Sequence, residues 1–176
     1  MTDLWPEDII KSPVKAPVAI LREQANFLKR KTKGLVQAII IPSAQTKEGK
    51  EFSYNFDLVS PSMSGTHYRL FAVAYDIQLY PATISVEIEI ATEIQSLHPD
   101  VLHYWDNQYY EAGPAGRSKV NLMSTPDVRL SAVTQGALIE QLRNIFNSKK
   151  ARRVVQNFIA QANSYPGEET PFNNEE

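Results

Sequence analysis

The sequence predicts a two-layer α+β domain: a mainly antiparallel four-stranded sheet, open to extension, packed by one N-terminal and two C-terminal helices. Three observations carry this expectation. From Glu51 to Ala91 apolar and polar residues alternate almost without a break, the period of half-buried strands. Residues 17–33 and 134–165 instead repeat their apolar residues at helical spacing. The connections between the expected strands are short, which favours an antiparallel meander. A chain of 176 residues, 43% hydrophobic and 22% charged, suits one globular domain with a real core.

Each element has its own signal. Residues 1–16 read as an irregular arm, with Pro6 and Pro13 and two apolar patches, Trp5 and Ile9-Ile10, as its anchors. Pro17 suits a first helical turn because its fixed φ is already helical. Ile20, Leu21, Gln24, Ala25, Phe27 and Leu28 then trace one helical face, and Gly34 is the expected stop. Leu35–Ile41 reads as a short strand buried on most of both faces, followed by a hairpin loop over residues 45–50. In the next strand Phe52, Tyr54, Phe56 and Leu58 oppose Glu51, Ser53, Asn55 and Asp57. Residues 67–77 are apolar on both faces, as an interior strand would be. Ala82, Ile84, Val86, Ile88 and Ile90 alternate with Thr83, Ser85, Glu87 and Glu89 as a fourth strand.

Residues 92–130 are the least regular. Residues 96–106 suit a short helix, and 120–123 and 128–130 suit edge strands or extended chain. Thr134 is placed to cap a helix bearing Leu138, Ile139, Leu142, Ile145 and Phe146. Ser148 is placed to cap the next, whose Ala151, Val154, Val155, Phe158, Ile159 and Ala162 form a buried stripe. The domain is therefore expected over 17–165, followed by a disordered acidic tail over 166–176.

Charge is divided along the chain. Residues 1–50 carry nine Lys/Arg against five Asp/Glu (+4), 51–131 four against ten (−6), 132–165 five against one (+4), and 166–176 none against four (−4). Two basic clusters stand out. Lys29, Arg30, Lys31 and Lys33 end the first helix, where cations suit the dipole. Lys149, Lys150, Arg152 and Arg153 open the last helix, where cations are misplaced and a bound phosphate or acidic partner would relieve them. If both clusters met, they would form an anion- or nucleic-acid-binding patch.

Other constellations are weaker than their structural alternatives. His98, Asp100, His103 and Asp106 crowd together but match no metal signature, so no metal and no cofactor is expected. Glu87 and Glu89, on one strand face, would lie about 7 Å apart, a separation used in sugar hydrolysis but also common on solvated sheets. The stretch 61–67 places Ser62 near His67 without a nucleophile elbow. The loop 113–119 resembles a phosphate loop only in composition, and Pro114 removes a donor. The chain has no cysteine, which excludes thiol chemistry and thiolate metal sites.

Tyr104, Trp105, Tyr109 and Tyr110 are the expected partner-binding surface, since Tyr and Trp are enriched at interfaces. No apolar run approaches membrane-spanning length. The functional expectation is a small, non-catalytic, cytoplasmic interaction module of adaptor, chaperone-like or immunity type, with a protein partner or a second copy. The alternatives are nucleic-acid or phosphoanion binding through the basic clusters, and a hydrolase using the acidic sheet face.

Overall fold

The computed structural model describes residues 13–43, 51–63, 65–97 and 127–164. They form, in order, α1 (Pro17–Lys31), β1 (Gln37–Pro42), β2 (Glu51–Val59), β3 (His67–Asp76), β4 (Ala82–Glu87), α2 (Ile88–Leu97), β5 (Asp127–Ala132), α3 (Gln135–Asn147) and α4 (Lys149–Ser164). The fold is α+β. The antiparallel sheet has the order β1-β2-β3-β4-β5, five strands where the sequence suggests four. The added strand, β5, contains the 128–130 stretch and sits at the edge, paired with β4 from Ala82↔Ala132 to Glu87↔Asp127. None of the helices among the described residues is long and apolar enough to cross a membrane.

Cross-strand rows show why these residues make a sheet. Phe56 lies opposite Phe71, Phe71 opposite Val86, and Val86 opposite Val128. The next row runs Tyr54, Val73, Ile84, Leu130, and the next Phe52, Tyr75, Ala82, Ala132. These alternate residues share one face, and the helices α1–α4 pack on it. Against them lie Ile20 and Leu21 of α1, Ile90 and Ile94 of α2, Leu138, Leu142 and Ile145 of α3, and Phe158 of α4, all buried. Truncating one of the larger side chains in such a core costs about 2–5 kcal/mol. The opposite face carries Ser53, Asn55, Ala72, Ala74, Thr83 and Ser85, each half-buried.

Four expectations need correction. β1 is not buried on both faces. It is an edge strand whose Ala38 and Ile40 pack on the core while Ile39 and Ile41 are exposed. β3 is interior, but its apolar residues do not line both faces evenly. Phe56 pairs with Phe71 and Asp57 with Arg69, so Leu70 has no residue opposite it and forms a bulge. The bulge resets the alternation, and Leu70 and Phe71 are consecutively buried.

β4 stops at Glu87, and Ile88–Leu97 is helix, not strand. Ile90, Ala91 and Ile94 are its buried stripe at helical spacing, and Ile88 is exposed. Two steps of alternation and one turn of amphipathic helix look alike over so short a run. Finally, Phe27 does not join the buried face of α1: it is 45% exposed, with the Arg30 guanidinium 4.8 Å above its ring.

The helix ends follow their sequence signals. Pro17 opens α1. After Lys31 the chain turns through Lys33 (φ 52°) and Gly34 (φ 84°), and the Gly34 N–H donates to Lys29 O at 2.8 Å. Thr32 fastens this turn to the chain entering β1: its hydroxyl lies 2.7 Å from Val36 O and accepts from the Val36 N–H at 3.2 Å. Thr134 caps α3, accepting from the Ala137 N–H at 3.1 Å. Of the N-terminal arm, Lys15 is pinned: its N–H donates to Gln135 Oε1, and its carbonyl accepts from the Tyr80 hydroxyl.

Candidate functional site

α1, α3 and α4 do not close completely over the sheet. Between them lies a cavity of about 470 Å³. Its floor is Phe56, Leu58 and Leu70 from β2 and β3. Its walls are Phe27 and Leu28 of α1, Phe146 of α3, and Ala151 and Val155 of α4. An aromatic cluster stiffens one side: Phe56 stacks on Phe71 at 4.8 Å, and Phe146 meets Phe56 at 5.5 Å and Phe71 at 5.8 Å. Leu70 reaches the floor because of the bulge, which turns it to the helix side together with Phe71.

The polar lining is one-signed. Lys31 comes from the first basic cluster, Arg152 from the second, and Arg143 from α3, with the amides of Gln24, Asn147 and Gln156 between them. No carboxylate lines the cavity among the described residues, and none forms an ion pair with Lys31, Arg143 or Arg152 there. Arg152 Nη2 donates to Asn147 Oδ1 at 3.0 Å, which holds the guanidinium at the α3–α4 junction. The two clusters therefore meet, but through one residue each. Sequence reasoning passes over Arg143 because it stands alone among apolar and amide neighbours. Its only signal is its position one turn before Asn147, on the side of α3 away from Leu138 and Leu142.

The rest of the second cluster does a different job. Lys150 Nζ donates to Glu89 Oε2 at 2.7 Å and lies 3.5 Å from Glu87 Oε2, and Arg153 Nη2 reaches Glu89 Oε1 at 3.3 Å. The Lys149 N–H donates to both oxygens of Glu93, at 2.8 and 3.0 Å. Ser148 caps α4 as expected, its Oγ accepting from the Ala151 N–H at 3.2 Å. The side chains of Lys150 and Arg153 thus find their acids on α2 and at the end of β4, and the helix-terminal N–H of Lys149 finds its acceptor on α2, so no external anion is needed at Lys150 or Arg153. The hydrogen bond from Lys150, followed by the charges of Lys150 and Arg153, holds the Glu89 carboxyl below the usual range. The same hydrogen bond and the two carboxylates raise the Lys150 ammonium.

Glu87 and Glu89 do not share a strand face, because the first ends β4 and the second lies in the first turn of α2. Both instead converge on Lys150. Glu87 also accepts from the Tyr68 hydroxyl at 2.6 Å, and burial, then this bond, pushes Tyr68 well above the ordinary tyrosine range. Burial, then the neighbouring Tyr54, likewise raises Tyr75 to about 12.

His67 pairs through Nδ1 with Asp57 Oδ2 at 3.2 Å. Asp57 is only 3% exposed, and its Oδ1 has no hydrogen-bond partner among the described residues. Ser62 Oγ bonds to Ser60 Oγ, and among the described residues no serine hydroxyl bonds to His67. Tyr104, Trp105, Tyr109 and Tyr110 lie outside the described residues, as do His98, Asp100, His103, Asp106, the 113–119 loop, residues 44–50 and the tail from 165. Compared with known proteins, the chain matches no family model, no curated protein and no solved structure.

Proposed function

We propose that this chain is a non-catalytic binding protein for an amphipathic anion, held in the cavity between α1, α3 and α4. The ligand has an apolar body and a carboxylate or phosphate head. One observation carries the reading: an apolar cavity of ligand size is ringed by Lys31, Arg143 and Arg152, which have no carboxylate partner among the described residues. Phe27, Leu28, Phe146 and Val155 offer apolar contact, and the guanidinium forks of Arg143 and Arg152 suit a planar carboxylate or a phosphate. The aromatic cluster supplies a firm surface for the body.

The cations gather around one concave, partly open space and do not run in a stripe, which favours a single small anion over a nucleic-acid backbone. The experiment is calorimetric titration with dodecyl phosphate, with dodecyl maltoside and inorganic phosphate as controls. Dodecyl phosphate is expected to bind with a 1:1 stoichiometry, each control at least about tenfold more weakly, a difference of about 1.4 kcal/mol. Equal affinity for the neutral and anionic detergents, or no binding of dodecyl phosphate, would overturn the reading.

A further inference from the structure

The two edges of the sheet are defended differently. β5 exposes Asp127 and Arg129, and charge on an edge strand discourages the addition of another strand. β1, Gln37-Ala38-Ile39-Ile40-Ile41-Pro42, carries no charge. Its Ile39 and Ile41 are 40% and 37% exposed on the face away from the helices. They border a shallow pocket of about 270 Å³ that Val59, Met63 and His67 also line.

The backbone of β1 shows what this edge presents. The Ser43 N–H donates to Ser53 O at 2.8 Å, and Pro42 lies opposite Tyr54. Antiparallel ladders alternate, so residues 37, 39 and 41 turn their polar groups to β2, while Ala38, Ile40 and Pro42 turn theirs outward. Pro42 has no N–H, and it occupies an outward position, where a proline removes no bond to β2. Among the described residues, the outward edge thus offers the N–H groups of Ala38 and Ile40 and the carbonyls of Ala38, Ile40 and Pro42.

We propose that this edge pairs with β1 of a second copy of the chain, antiparallel, about a two-fold axis at Ile40. In that register the two Ile40 residues exchange both backbone bonds, and each Ala38 N–H donates to the Pro42 carbonyl of the other copy. Every outward N–H is used, and the missing N–H of Pro42 falls where none is required. On the exposed face Ile39 of each copy stands opposite Ile41 of the other, in close non-hydrogen-bonded pairs with Cα atoms about 4.5 Å apart. The same neutral, β-branched segment therefore satisfies both sides of the contact, which is what an isologous interface requires. This contact is independent of the ligand cavity.

The absence of native cysteine makes the test direct. Ile39→Cys and Ile41→Cys are prepared separately, mixed and oxidised. The mixture is expected to give a species at twice the 19.9 kDa chain mass, because the opposed Cα atoms lie within disulfide reach. A mixture of Ile39→Cys with Ile139→Cys, an exposed position on α3, is the control and gives background cross-linking only. Sedimentation provides a second reading. The wild type is expected at double mass, and the double substitution Ile39→Lys, Ile41→Lys at single mass with an unchanged melting curve, since like charges are then opposed. Cross-linking no greater than the control, or a wild-type chain of single mass at its highest soluble concentration, would overturn the proposal.

Discussion

Five residues at the start of α4, Lys149–Arg153, serve two different surfaces. On one side Lys150 and Arg153 lie over α2, each within salt-bridge distance of Glu89. On the other side Arg152 faces the cavity with Lys31 and Arg143, where no carboxylate lines the wall among the described residues. Residues 150 and 153 are three apart and share a helix face, while residue 152 points elsewhere. A run of like charge in sequence is therefore not one site. Here the half that meets carboxylates fastens a helix to its neighbour, and the half that meets none among the described residues is the one we propose for the anion.

Substitutions tell the two surfaces apart. The largest effect should come from what both stand on. Phe71→Ala removes the ring beneath Phe56 and Phe146 and should cost about 3–5 kcal/mol by urea denaturation, loosening cavity and helix junction together. Next, Arg143→Ala and Arg152→Ala should each weaken dodecyl phosphate binding about tenfold, or 1.4 kcal/mol, by calorimetry. Their unfolding free energies should stay within about 0.5 kcal/mol of wild type, since neither removes an ion pair. If stability falls with affinity, the cavity cations are structural and the contrast fails.

Glu93→Ala reverses that pattern. It removes the acceptor of the Lys149 N–H and should cost about 1 kcal/mol of stability, as the loss of a helix cap does, with binding unchanged. The smallest effect concerns pH. Glu89 has a depressed pKa in the folded chain, so its contribution is present above the ordinary carboxylate range and lost as pH falls through that lowered value. Lys150 has a raised pKa, so its contribution holds through neutrality and is lost as pH rises through that raised value. Urea midpoints measured against pH should therefore fall less steeply on the acid side in Glu89→Gln than in wild type. Glu89 is exposed, so solvent screening keeps the difference small.

The parts of the fold that are legible in the sequence are those where one period runs long enough to be unambiguous. β2 and α4 come nearest. Phe56 and Leu58 are buried as their alternation requires, though Phe52 is exposed and Asp57 of the polar side is buried. Ala151, Phe158 and Ala162 are buried as their helical spacing requires, with Val154, Val155 and Ile159 half-buried. The failures lie where two periods coincide or one is interrupted. Val86, Ile88 and Ile90 continue the strand pattern into α2, and the unopposed Leu70 shifts the β3 pattern in mid-strand. The candidate site is half visible. Its cations Lys31 and Arg152 stand in recognised clusters, but the cavity belongs to no single element. Only the packing of three helices on β2 and β3 brings Arg143, Lys31 and Arg152 around Phe56 and Leu58.

Ser148 has a mechanical consequence. It is the single extended residue between α3 and α4, and its buried hydroxyl donates to Ile145 O at 2.8 Å while accepting from the Ala151 N–H. An elbow one residue long, locked on both sides, makes Arg143, Phe146, Arg152 and Val155 parts of a single rigid jaw. The opposing jaw is α1, joined to β1 through the left-handed turn at Lys33 and Gly34. The width of the opening is then set by where α1 lies against the α3–α4 jaw, and α1 is held near both ends, by the bond from Lys15 to Gln135 of α3 and by the bonds between Thr32 and Val36.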